Sequence, residues 1–311
     1  MILTFFACPK PFHGHAAIIQ RNAITSWTKL HPRPRIVLFG DEAGTAELCS
    51  ELSLEHVREI RRNEHGTPLF DGVLADGQAR AADGVCCFIN ADIILLNDFT
   101  AAVSQLVRRK KSFLMIGQRT DLDVTAPLPF DDGAWPASLE IAARERGRLH
   151  GEDGIDYFVF TRGLFDPAPP LLVGRASIDN WLVFRARRRW CAVVDATLAV
   201  TAIHQNHDYS HHREGRFGVY HGDEAQTNFA LAGGHDHLFW INDRTHRLTP
   251  HGLALDLTGA QLRRHWDRMP VLVPPGLRRL VRSMHGAQRK VGGVLRRLGL
   301  RKPLHVSSRH H

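Results

Sequence analysis

Over the first 200 residues, short apolar runs alternate with stretches in which apolar positions recur every three or four residues. A continuous apolar run of a few residues between turn formers fits a strand buried on both faces. The longer periodic stretches fit helices packed against it. The alternation predicts an α/β domain: a mainly parallel, Rossmann-like central sheet with helices on both faces. Residues 2–7 and 35–39 read as the first two strands. Between them a helix is expected over 15–30, where Ala16, Ile19, Ala23, Ile24 and Trp27 share a face, ended by the sequence HPRP. A helix over 45–52, a short strand at 57–60, a polar loop at 62–68 and a helix reaching 82 follow. Residues 85–89 (VCCFI), 113–117, 157–161 and 192–200 supply further strands, and 99–107 a helix. Residues 174–186 read as a polar loop opening a helix, with Asp179 near its start, where the exposed amides favour an acid. From 201 to 249 the chain is rich in His, Asn, Asp and Gly and reads as loops over the sheet. There is no internal repeat.

The pattern changes after residue 275. Leu277, Leu280, Val281, Met284, Val291, Val294, Leu295 and Leu298 recur at helical spacing with Arg and Lys opposite them, which predicts a basic amphipathic helical tail. The expected organisation is one domain over 1–250, a connecting segment over 251–275 and the tail over 276–311. Charge follows the same division. The net charge is +8, yet residues 270–311 hold ten Lys or Arg and no acid, leaving 30 basic against 32 acidic residues in 1–269. The main domain is thus near neutral and no nucleic-acid partner is expected for it. The tail can lie on an anionic membrane as a peripheral contact, or dock on its own domain or a second subunit. No apolar run reaches the ~20 residues that span a bilayer. The start of the sequence lacks the form of a secretory signal, and the five cysteines form no C-x-x-C pair. Both features lead to the expectation of a cytoplasmic protein, possible membrane contact being at the inner face.

The segment richest in chemistry is Asn90-Ala91-Asp92, which ends the apolar strand 85–89 and is followed by Ile93-Ile94-Leu95. Ligands of open α/β sheets bind at the carboxyl ends of the strands. A carboxylate there can hold a divalent cation against a diphosphate, since hard cations prefer oxygen ligands. With these residues the chain resembles the GT-A glycosyltransferases, whose nucleotide-diphosphosugar domain carries Asp-x-Asp at such a strand end; here the first acid is Asn90. The resemblance implies a metal-dependent transfer of a sugar from a nucleotide-sugar donor to the hydroxyl of a carbohydrate or lipid-linked acceptor. Asp92 is the implied ligand of Mn²⁺ or Mg²⁺, with Asn90 on the ribose or a bound water. The plainer alternative is an Asp that only ends a strand and caps a turn.

Two later segments occupy places the resemblance gives a role. Asp179-Asn180-Trp181 matches the acceptor-side element, in which the acid deprotonates the acceptor hydroxyl; helix capping is the alternative for Asp179. His204 follows the strand at 192–200 and matches a further metal ligand, with His207 its close competitor. His204, His207, His211 and Asp208 match no standard zinc spacing, and His211 and His212 read as solvated loop residues. On the donor side, the loop after the first strand and the end of the second supply Phe6, Lys10 for a phosphate and Asp41 for the nucleoside, with Arg62 and Asn63 as further contacts. Lys10 reads equally well as a surface charge. Gln118, Arg119, Asp121, Asp123 and Asp156 are candidates for sugar hydroxyls, with Arg–carboxylate pairing as the alternative. Trp181 and Trp135 offer ring faces for a sugar or, as commonly, for packing.

Other activities stay open or fall away. Sugar-nucleotide nucleotidyl transfer uses a similar fold, but CPKPFHGH poorly matches its Gly-rich basic loop. A non-catalytic nucleotide- or carbohydrate-binding protein remains compatible with Asn90. No G-x-G-x-x-G follows the first strand and no Walker loop is present, which removes a dinucleotide dehydrogenase and a P-loop enzyme.

Overall fold

The computed structural model describes residues 3–82, 84–207 and 215–297. The chain divides into two compact units, 1–257 and 258–311.

The first unit is built in chain order from β1 (Leu3–Ala7), α1 (Gly14–Thr28), β2 (Arg35–Phe39), α2 (Thr45–Leu52), β3 (Glu55–Val57), α3 (Phe70–Arg80), β4 (Val85–Ile89), β5 (Ile93–Leu95) and α4 (Asn97–Val107). There follow β6 (Phe113–Ile116), β7 (Thr120–Leu122), α5 (Trp135–Arg146), β8 (Arg148–Leu149), β9 (Tyr157–Thr161), α6 (Ile178–Arg188), β10 (Ala192–Asp195) and β11 (Ala202–Gln205). After α7 (Gly215–His221) and α8 (Asp223–Ala232), two 3₁₀ turns lead to β12 (His246–Thr249) and β13 (Gly252–Leu255).

Nine strands form the main sheet in the order β13-β12-β10-β6-β9-β4-β1-β2-β3. All neighbours are parallel except β9, antiparallel to both β4 and β6, and β13, antiparallel to β12. A second sheet of four short strands runs β5-β11-β7-β8. The expected mixed α/β architecture, with a large, mostly parallel central sheet and helices around it, is present.

Strands β1 and β4 are buried along their whole length, as continuous apolar runs require in a sheet covered on both faces. Period-two alternation divides their side chains between two layers. On one side, Phe5 packs edge-on against Trp27 of α1 and Phe99 of α4, and Phe99 against Tyr157. On the other, Phe6 meets Phe39, Phe88 and Phe160. Helix α3 lies on this second layer through Gly77, where a Cβ would come within 2.8 Å of the Phe6 ring.

Three sequence expectations change. The strand expected at 57–60 is β3, two residues earlier, paired with β2. The run 192–200 is divided: β10 ends at Asp195, a turn follows, and β11 joins the other sheet. The segment 201–249, expected as loops, holds β11, α7, α8 and β12. Its polar composition masks these elements because they bury small or amphipathic residues, such as Ala225, Asn228 and Ala232 of α8.

The second unit contains α9 (Gly259–Leu272) and α10 (Pro275–Arg297). Thr258 caps α9 by accepting from the Gln261 amide. No described helix is long and apolar enough to cross a membrane.

Candidate functional site

The small sheet assembles the site. Asn90 leaves β4 at the carboxyl end of the parallel strands, and its amide donates to the Asp156 carbonyl at 2.9 Å. A tight turn then returns the chain into β5, with Asp92 at its mouth. Strand β11 lies between β5 and β7, so that His204 stands opposite Ile93 on one side and Asp121 on the other. Residues more than a hundred positions apart in sequence thus become neighbours. Asp92 Oδ2 lies 3.2 Å from His207 Nε2 and 3.9 Å from His204 Nε2. One ligand atom from each of Asp92, His204 and His207 lies within 4.8 Å of the other two.

Two buried atoms of this cluster lack hydrogen-bond partners among the described residues. Asp92 Oδ1 has none, and His204 Nδ1 lies 3.2 Å from Asp121 Oδ1 without the alignment of a hydrogen bond. Burial alone disfavours charge on Asp92. The His207 hydrogen bond and the neighbouring charges of His204 and Lys10 outweigh it and hold the carboxyl well below the usual carboxylate range. Burial lowers the His204 imidazole, against the pull of Asp92, and so favours the neutral form that ligates metals. An ionised carboxylate with an orphaned oxygen beside two imidazoles fits a divalent cation. The two nitrogen donors suit Mn²⁺ better than Mg²⁺. Both His204 and its competitor His207 face Asp92; Asp208, His211 and His212 lie outside the described residues.

Around the cluster the polar groups are paired. Asn90 Nδ2 donates to Asp156 Oδ1 at 2.6 Å, and Arg119 Nη1 donates to Asp156 Oδ2 at 2.8 Å. Arg119 Nε also donates to Asp121 Oδ1 at 2.9 Å, and His150 Nδ1 lies 2.5 Å from Asp121 Oδ2. Asp156 stands at the entrance to β9. Because β9 runs against its neighbours, its first residue, not its last, reaches the ligand end of the sheet. Lys10 lies at the same end, after β1. Burial lowers its ammonium group, while Asp92 and Asp156 raise it and Arg175 lowers it further. The loop holding it is braced by Gln20, which accepts from the Lys10 amide at 2.6 Å and donates to its carbonyl at 2.9 Å.

Asp179 occupies the first turn of α6. Its carboxyl is raised to about 6, first by burial and then, against backbone hydrogen bonds from Asn180 and its own amide, by the charge of Asp156. A carboxylic acid with that value exchanges protons near neutrality. The charge of Asp156 thus acts on both Asp179 and Lys10, raising the carboxyl of one and the ammonium group of the other.

Other expected residues fall elsewhere. Phe6 is fully buried in the second aromatic layer and presents nothing to a cleft. Asp41 is exposed. The acid that turns inward after β2 is Glu42: Oε1 accepts from Arg62 at 2.8 Å, and Oε2 is buried without a partner among the described residues. Gly40, at φ +106°, makes this possible, since a Cβ there would collide with Oε2. Asn63 donates to Glu224 at the start of α8 at 2.6 Å, and Thr67 and Arg175 bind the same carboxylate at 2.7 and 2.6 Å. Glu224 gave no signal in the sequence. Asn180 is buried, with Nδ2 on the Phe239 carbonyl. Trp181 packs against Phe165 and Trp135 against Phe130, so both indoles serve packing.

Behind the site lies a buried polar layer. Asn22 Nδ2 donates to Gln205 Oε1 at 3.0 Å and Asn22 Oδ1 accepts from Leu128 N at 2.9 Å. Gln205 Nε2 donates to the carbonyls of Ile19 and Asp92 at 2.7 and 3.1 Å. The backbone of Asp92 is fixed by a side chain one residue beyond His204.

No family model and no curated protein match the chain. Among solved structures, it is similar to GT-A nucleotide-diphosphosugar transferases. One is TarS of S. aureus (10% identity, TM-score 0.38), with 66% of this chain and 58% of that one covered. Another is glucosyl-3-phosphoglycerate synthase from Mycobacterium tuberculosis in complex with Mn²⁺, UDP and phosphoglyceric acid (15%, TM-score 0.43, 75% and 79% covered). The mannosyltransferase PcManGT from Pyrobaculum calidifontis, in complex with GDP-Man and Mn²⁺, is similar at 13% identity and TM-score 0.40, with 65% and 56% covered. The chain thus spans little more than half the length of the TarS 1-349 and PcManGT chains it matches.

Proposed function

We propose that the protein is a metal-dependent glycosyltransferase moving a sugar from a nucleoside-diphosphate donor to the hydroxyl of a glycan or lipid-linked acceptor. The observation that carries this reading is the Asp92–His204–His207 cluster, with its orphaned carboxylate oxygen, at the carboxyl end of the parallel strands. Asp92, His204 and His207 hold Mn²⁺ or Mg²⁺, and a bound cation would offset the charge that develops on a diphosphate leaving group. Lys10 adds a second positive charge beside Asp92 and Asp156, suited to the same phosphates. Glu42, whose Oε2 has no partner among the described residues, accepts from the nucleoside in the place expected for Asp41. The paired Asn90, Asp156 and Arg119 present a fixed rim to sugar hydroxyls. Asp179 takes the proton from the acceptor hydroxyl, for which a carboxyl at about 6 is suited.

Calorimetric titration with UDP and GDP, each with and without Mn²⁺, tests the reading, followed by incubation with a panel of nucleotide sugars. Metal-dependent binding that Asp92→Asn abolishes, with release of nucleoside diphosphate, is the expected result. Equal binding without metal, or unchanged binding by Asp92→Asn, overturns it. Pyrophosphate-dependent cleavage of the nucleotide sugar would indicate nucleotidyl transfer instead.

A further inference from the structure

Helix α10 carries chemistry that the cleft does not use. One of its faces packs on α9: Val281 is buried, the His285 ring stacks on Trp266 with centroids 4.5 Å apart, and Trp266 Nε1 donates to Gln288 Oε1 at 2.5 Å. His285 also places its two ring nitrogens 2.8 and 2.9 Å from the carbonyls of Val281 and Trp266, which fixes the rotation of α10 about its own axis. Leu277, Leu280 and Met284, at i, i+3 and i+7, form an adjacent stripe that is 51%, 59% and 48% exposed. Arg279 and Arg282, both exposed, lie across the helix from it. Seven of the 23 residues of α10 are Lys or Arg and none is acidic.

We propose that this face of α10 docks on an anionic lipid bilayer, with the leucines and Met284 among the acyl chains and the arginines on the headgroups. The charge pattern selects this occupant. A second copy of the same acid-free helix would set seven positive charges against seven. A nucleic acid would satisfy the arginines but leave the apolar stripe in water. A bilayer carrying acidic headgroups satisfies both at once, and long basic side chains reach the headgroup level from the flanks of a helix lying in the interface. The inference stands independently of the reaction carried out in the cleft.

Flotation of the full-length protein with vesicles tests it, using phosphatidylcholine alone and phosphatidylcholine containing about 30% phosphatidylglycerol. Binding is expected to the anionic vesicles only and to weaken as salt rises. The pair Arg279→Gln and Arg282→Gln should lower partitioning roughly 30-fold, each basic residue contributing a factor of about five. Leu277→Ser with Leu280→Ser should abolish flotation, and since both side chains are about half exposed, unchanged circular dichroism is expected for this variant. Failure to float, equal flotation on neutral vesicles, or a leucine variant that floats as the parent does overturns the proposal. So does a sedimentation experiment in which the parent is a dimer and the leucine variant a monomer, which would make the stripe a subunit interface.

Discussion

Replacing Asp179 by Asn should stabilise the fold while removing its chemistry. The Asp179 carboxyl sits at about 6 in the folded chain, against a usual value of 3.8, chiefly because burial opposes its charge. The sign follows from linkage. Below the usual value the acid is protonated whether folded or unfolded, and costs nothing. As pH rises the unfolded chain ionises first, and the cost grows until the folded carboxyl has also titrated, above about 6. At 1.36 kcal/mol per unit, the difference amounts to about 3 kcal/mol at pH 8 and about half of that at pH 5. Asn keeps a carbonyl oxygen for the backbone amides and carries no charge. Thermal unfolding of parent and Asp179→Asn without added metal, at the two pH values, should show the variant melting roughly 6–12 °C higher at pH 8 and roughly half as much higher at pH 5. The variant's rate of transfer should fall by about 10²- to 10⁴-fold, the contribution of a general base. A variant that melts at or below the parent at pH 8, or a gap that does not narrow towards pH 5, would refute the idea that an enforced carboxylate is held at the start of α6.

The cation cluster should respond to each of its three members: Asp92→Asn, His204→Ala and His207→Ala should each weaken Mn²⁺ binding, read by electron paramagnetic resonance, by at least the roughly 10- to 100-fold that loss of an outer-shell partner costs. Changing Asn90 to Asp, which writes a full Asp-x-Asp into the chain, should destabilise it by about 1–3 kcal/mol at neutral pH, because the new carboxylate would face Asp156 across the present 2.6 Å contact. That loss should shrink as pH falls and one acid of the pair takes up a proton, which denaturant melts at pH 5 and 8 would reveal. Asn22→Ala strands Gln205 Oε1 and the Leu128 amide, and should cost about 2–4 kcal/mol in urea unfolding with an accompanying loss of Mn²⁺ affinity.

Strands β1, β2, β4 and β9 were readable because an apolar run buried on both faces has one reading, and Asp92 was readable as the first acid after such a run. Asp92 and His204, read from the sequence as candidate ligands of one cation, do come together, Asp92 Oδ2 lying 3.9 Å from His204 Nε2. What failed to show was set by register or by long-range contact. Asp41 and Glu42 are equally acidic in the sequence; the left-handed Gly40 decides which of them turns inward. Phe6 follows Phe5 by one residue, and in a sheet covered on both sides that step leads from one core layer to the other, not from core to cleft. Strand β5 has only three residues, too few to read as a strand of its own, so the small sheet that delivers His204 left no trace. Glu224 meets Asn63 across 161 positions, beyond the reach of any local pattern.

The reversed direction of β9 has a consequence for how such a protein can be altered. Strand β6 leaves the sheet at the ligand end and β9 re-enters it at that same end, so residues 117–156, with β7, α5 and β8, form an excursion anchored twice at one rim. Such a cassette can be lengthened, shortened or exchanged without rethreading any strand of the nine. Chimeras that exchange residues 123–147, with Arg119, Asp121 and Asp156 retained at the roots, would alter this rim while leaving the order of the nine strands and the β7–β11 pairing in place.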